Sequence, residues 1–131
     1  VISQAHRFHG RSSLRFVYQR GQNVRGGAVS LRYVTNPRRQ HYRVAVVVSR
    51  KVSKSAVVRN RIRRRIYEVV REHAGQLKAP LDLVFTAYGE DIAALPHEAL
   101  KKLVLSLLVK ADALHPDGPD HAIVGTKEIN E

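Results

Sequence analysis

The chain contains no cysteine, which excludes disulfides, cysteine-ligated zinc and thiol nucleophiles together. Acidic residues are almost missing from residues 1–71, which hold Glu68 alone against 18 Lys and Arg. Residues 72–131 hold ten acids, but they are scattered, and the adjacent pair Glu90-Asp91 reads as charge on a loop. A self-sufficient metal-dependent nuclease needs several carboxylates converging on Mg2+, and this distribution supplies no such set. The longest apolar runs, such as residues 44–48 and 103–105, fall far short of the ~20 residues that span a bilayer. No apolar stretch at the start suits a signal segment, so a soluble, cytoplasmic protein without membrane contact is expected.

What is present is positive charge on a foldable chain. The 131 residues are 44% apolar and carry a net charge of +12, which suits one domain with one core. The charge is lopsided, because residues 72–131 carry only 5 Lys and Arg. Self-repulsion in the basic half calls for a polyanion, and most of its cations are Arg, whose planar fork suits phosphate and stacks on bases. Nucleic acid is the expected partner. An anionic membrane would call for a basic helix with a Trp/Phe/Leu face, and the most basic stretch has none.

Periodicity gives the order of elements. Residues 12–21 read as a short helix with a Ser N-cap, an apolar edge of Leu14, Val17 and Tyr18, and a stop at Gly21. Gly26-Gly27 turns the chain into a half-buried strand, where Val29, Leu31 and Tyr33 alternate with Ser30 and Arg32. Residues 42–49 form a β-branched central strand. From residue 55 to 73 Val58, Ile62, Ile66, Val69 and Val70 make one face of a helix, with Asn60, Arg63, Arg64 and Arg71 opposite. Residues 81–88 are the next strand. Pro96 opens an amphipathic helix carrying Leu100, Leu103, Val104, Leu107, Leu108, Ala111 and Leu114. The expectation is a single α+β domain over residues 1–114, followed by a flexible acidic tail at 115–131.

The second helix concentrates the chemistry. Residues 59–66 hold five Arg with no interleaved acid, a crowding that disfavours an isolated helix. Arg59, Arg63 and Tyr67 recur along one edge, and Asn60, Arg64 and Arg71 along the next. Such a surface presents forks to successive phosphates, while Asn60 donates and accepts toward a ribose or a base edge. Of the eight Phe and Tyr rings, Tyr18 and Tyr67 are the best placed to stack on single-stranded bases; Phe85 and Tyr42 read as core. The seven His show no metal-ligand spacing. No catalytic residue is identified.

Residues 48–52, Val-Ser-Arg-Lys-Val, followed by Val57-Val58-Arg59-Asn60-Arg61-Ile62-Arg63-Arg64, resemble the signature of the bacterial ribonuclease P protein family. The resemblance covers residues 5–114, including the Arg7-Phe8 start and the first helix ending at Gly21. It implies an αβββαβα sandwich in which the basic helix makes a left-handed crossover between parallel strands. It implies that a catalytic RNA subunit, with its Mg2+, removes the 5′ leader of precursor tRNA. The protein would then be a cofactor without a dedicated metal site or an obligate protein partner.

Carried over residue by residue, the RNA-subunit contacts fall on Arg59, Asn60, Arg61, Arg63, Arg64, Arg65, Lys51 and Lys54. Leader contacts fall on Leu14, Tyr18, Ser30, Arg32 and Tyr67. Here Leu14 stands where relatives carry a ring, and Ser30 and Arg32 where they often carry an apolar or aromatic residue. The alternatives are a ribosomal or ribosome-assembly RNA-binding protein without nuclease association, and a DNA-binding regulator. The regulator would normally need a dimer or a helix-turn-helix pair, whereas strands flank this helix.

Overall fold

The computed structural model describes residues 11–36, 41–78 and 81–114. Its elements are α1 (Arg11–Arg20), β1 (Gln22–Gly26), β2 (Val29–Thr35), β3 (Arg43–Val48), α2 (Ala56–Glu72), β4 (Leu81–Ala87) and α3 (His97–Lys110). This is the expected αβββαβα order. Short 3₁₀ turns at Ala74–Gln76 and Glu90–Ala94 interrupt the connections around β4. The Arg7-Phe8 start and the 115–131 tail lie outside the described residues, as do the side chains of the proposed Ser cap on α1.

The four strands form one sheet in the order β1-β2-β4-β3. Neighbours are antiparallel except for β3 and β4, which run parallel with α2 as their crossover. β1 is a strand that the periodicity did not reveal. It is short, polar and at the sheet edge, so it carries no apolar alternation to read. It turns into β2 through Gly27-Ala28, where Gly27 has a φ of 64°. A two-residue hairpin whose first central residue has positive φ calls for glycine there.

One sheet face bears the core. Val29, Leu31, Leu83, Phe85, Val44, Val46 and Val48 pack with Ile62, Ile66, Val69 and Val70 of α2 and Leu100, Val104, Leu107 and Leu108 of α3. The opposite face holds Ser30, Arg32, Ala45, Val47, Val84 and Thr86, aligned by strand register. Helix α1 crosses that second face against β2 and β4 and buries Val17 there. The close approach requires Gly21, since a Cβ at that position would lie 2.4 Å from the Val17 carbonyl oxygen and 2.9 Å from that of Tyr33. On this same face by register, Arg43 and Asp82, partners in the parallel pair, form a buried ion pair at 2.8 Å. Asn36 adds a hydrogen bond to the same carboxylate at 3.0 Å.

Candidate nucleic-acid interface

Helix α2 starts where Ser55 caps it, the Ser55 hydroxyl accepting from the Val58 N–H at 3.3 Å. The loop before it is built on a turn in which the Val52 N–H donates to the Ser49 carbonyl at 3.0 Å. It is held to the helix by Arg59, whose guanidinium donates to the Ser53 carbonyl at 2.9 Å. Loop and helix enclose an open groove of about 660 Å³ lined by Arg50, Lys51, Lys54, Ala56 and Arg59. Four cations around one groove at the mouth of a helix N-terminus make a strongly anion-attracting surface.

Along α2 the arginines separate by their angle from the buried stripe. At about 100° per residue, Arg64 lies roughly opposite Ile62, whereas Arg59 and Arg65 flank it by about 60° on either side. Asn60, Arg61 and Arg64 are exposed, and Arg63 is half-buried with its guanidinium on the Asn60 amide oxygen. Arg65 departs from the expected RNA-facing set. It reaches back over the protein and donates to the carbonyls of Ile92, at 2.6 Å, and Leu95. Its forks are consumed by the 3₁₀ turn, because a long stem flanking the core stripe finds main-chain acceptors before it finds solvent.

The second sheet face gathers four of the five expected leader residues. Leu14 is half-buried on α1 and Tyr18, one turn later, is 45% exposed. The Arg32 guanidinium lies 5.6 Å from the Tyr18 ring centroid and donates to the Tyr18 carbonyl at 3.4 Å. Ser30, expected to contact the leader, is buried, its hydroxyl 2.9 Å from that of Tyr88. Tyr67 does not join this face. It packs against the core on the α2 side, and its hydroxyl accepts from the Val46 N–H at 3.3 Å. The hydroxyl thereby satisfies a main-chain donor of β3, which lies at the sheet edge and not at its centre as its β-branched run suggests; the helix-borne ring and α2 cover it there.

Tyr88 is one of the eight rings, and the sequence does not single it out. No local spacing marks it, since its partners Arg25 and Ser30 lie some sixty residues earlier. Among the described residues no group of three or more His, Asp or Glu side chains could hold a metal ion. Likewise, no described helix is long and apolar enough to cross a membrane.

A ribonuclease P family model matches residues 2–112. The chain belongs to that family. The ribonuclease P protein component of a Pseudanabaena species is 33% identical over 116 residues, covering 88% of this chain and 98% of that one. That of a Synechococcus species is 35% identical over 117 residues, covering 87% of each. The fold agrees with solved ribonuclease P proteins. The Staphylococcus aureus protein superposes with a TM-score of 0.76 at 22% identity, covering 86% of this chain and all of that one. The Thermotoga maritima protein gives 0.71 at 20% identity, covering 79% and 96%. Within this family, then, the chain exposes Asn60, Arg61 and Arg64 along α2, ties Arg59 back to the Ser53 carbonyl, and presents Tyr18 and Arg32 on the sheet face beneath α1.

Proposed function

We propose that this chain is the protein cofactor through which a ribonuclease P RNA subunit cleaves the 5′ leader from precursor tRNA. The RNA carries the catalytic Mg2+, and no step runs through a protein-held metal. The groove of Arg50, Lys51, Lys54 and Arg59, continued by exposed Asn60, Arg61 and Arg64, carries the reading. It is a concentrated anion-binding surface on the motif that defines the family resemblance. That surface docks the RNA subunit by neutralising phosphates that would otherwise need bulk cations. The face bearing Leu14, Tyr18, Ser30 and Arg32 takes the single-stranded leader, with rings stacking on bases and Arg meeting phosphate.

Reconstitution with the RNA subunit at low Mg2+ tests this. The protein alone should not cleave. Added to the RNA subunit, it should raise cleavage of a leader-bearing precursor and tighten its binding relative to mature tRNA. Unchanged cleavage at low Mg2+ would overturn the proposal.

A further inference from the structure

We infer that Tyr88, seated over Ser30, and Arg25 form a second nucleobase-binding subsite for single-stranded RNA, adjacent to the Tyr18–Arg32 pair. The inference rests on the leader path proposed above and adds a position to it.

Tyr88 follows β4, and its N–H donates to the Ala28 carbonyl at 2.7 Å, which ties it to the β1–β2 hairpin. The ring is then fixed at both ends. Its hydroxyl shares a hydrogen bond with the Ser30 hydroxyl at 2.9 Å, and the Arg25 guanidinium lies 4.3 Å from the ring centroid. Arg25 is itself held, its Nε donating to the Gly27 carbonyl at 3.2 Å. Yet Tyr88 remains 47% exposed. A ring that served only packing would be covered; this one is oriented by polar contacts and left open to solvent.

Strand register places the two pairs side by side. Arg25 is opposite Ser30 on β2, and Ser30 is opposite Thr86 on β4. Arg32 lies two residues further along β2 on the same face, an advance of about 7 Å. Each position therefore joins one exposed tyrosine to one arginine: Tyr88 with Arg25, and Tyr18 with Arg32. Base faces stack on tyrosine rings and on guanidinium planes, and such stacking tolerates any base. Two such positions on successive same-face residues of one strand suit two bases of one unpaired strand.

The test uses the holoenzyme reconstituted from RNA subunit and protein. Its affinity is measured for precursor tRNAs whose leaders lengthen from zero one nucleotide at a time. Wild-type affinity should rise in steps. Tyr88→Ala should abolish one step, with a loss of about fivefold or more, and leave leaderless tRNA unaffected. Arg25→Ala should weaken the same step. Tyr88→Phe, which keeps the ring and loses only the hydroxyl, should retain it. An unchanged step in both Tyr88→Ala and Arg25→Ala overturns the subsite alone. So does an equal loss at every leader length, which would mark a bracing role for the hairpin. A wild-type affinity indifferent to the leader overturns the leader path itself, and the subsite with it.

Discussion

The Arg65 guanidinium donates to the Ile92 carbonyl at 2.6 Å and also to that of Leu95, tying the middle of α2 to the turn that precedes α3. Arg64, the next residue back, is exposed. Two neighbours of one basic run therefore have different surroundings, the protein's own main chain for Arg65 and solvent for Arg64. Hydrogen bonds from a charged donor contribute about 1.5–3 kcal/mol each, so Arg65→Ala should lower the unfolding free energy by about 2 kcal/mol or more. It should leave the salt dependence of RNA binding nearly unchanged. Arg64→Ala should do the reverse, with stability within about 0.5 kcal/mol and the slope of log K against log salt shallower by about 0.9. Urea unfolding and RNA titrations across a salt series read both quantities. Identical behaviour of the two variants would reject this division.

Gly21 lets α1 end against β2. The hydrogen bond from its N–H to the Val17 carbonyl is 2.7 Å, and an added Cβ would meet the backbone of Val17 and Tyr33 rather than yielding side chains. Gly21→Ala should therefore cost about 1–3 kcal/mol through forced backbone shifts. It should also displace Tyr18, weakening binding of leader-bearing precursor more than of mature tRNA. Denaturation curves together with the two affinities check this. A stable variant with unaltered leader preference would show that α1 does not need this contact.

Arg43 and Asp82 are buried together on the α1 side of the sheet, with Nε on one carboxylate oxygen at 3.0 Å and Nη2 on the other at 2.8 Å. Removing one partner strands a buried charge, so Asp82→Ala should cost about 3–5 kcal/mol. Replacing both, Arg43→Met with Asp82→Leu, should recover most of that loss, since the pair's attraction roughly balances its desolvation. A double-mutant cycle by chemical denaturation measures the coupling. A double variant no more stable than Asp82→Ala would contradict this account.

Periodicity was enough to place α2, α3, β2, β3 and β4, because each carries an apolar pattern of its own. Val58, Ile62, Ile66, Val69 and Val70 recur at helical spacing, and they are the residues that α2 turns inward. The polar edge strand β1 had no such pattern. Exposure of Asn60, Arg61 and Arg64 was legible from their angle to Ile62. The same geometry places Arg65 beside the buried stripe, but its acceptors at Ile92 and Leu95 come from a distant turn. Ser30 and Tyr88 show the limit most clearly. Alternation puts Ser30 on the polar face, yet a ring 58 residues away covers it. Long-range pairing of this kind leaves no local mark, and a motif resemblance transfers only the positions that match it.

Burial pushes the Tyr42 hydroxyl above its ordinary value of 10.0, which gives a testable alkaline response. The folded state holds this proton more tightly than the unfolded chain does. The associated stability is therefore fully present below pH about 10 and is lost as pH rises from the unfolded value through the folded one. Tyr42→Phe removes that titration, while the other tyrosines and the lysines remain common to both proteins and cancel in the comparison. Wild-type stability should accordingly fall more steeply than that of Tyr42→Phe between pH about 9 and about 11. Glu68 responds in the opposite direction. Arg71, hydrogen-bonded to it at 2.9 Å, holds its carboxyl below the usual 4.5, so its contribution is present above that value and lost as pH falls through the folded one. Urea unfolding at matched ionic strength over the alkaline range decides the Tyr42 case. Parallel curves for wild type and Tyr42→Phe would mean that the hydroxyl ionises as readily in the folded protein as in the unfolded chain.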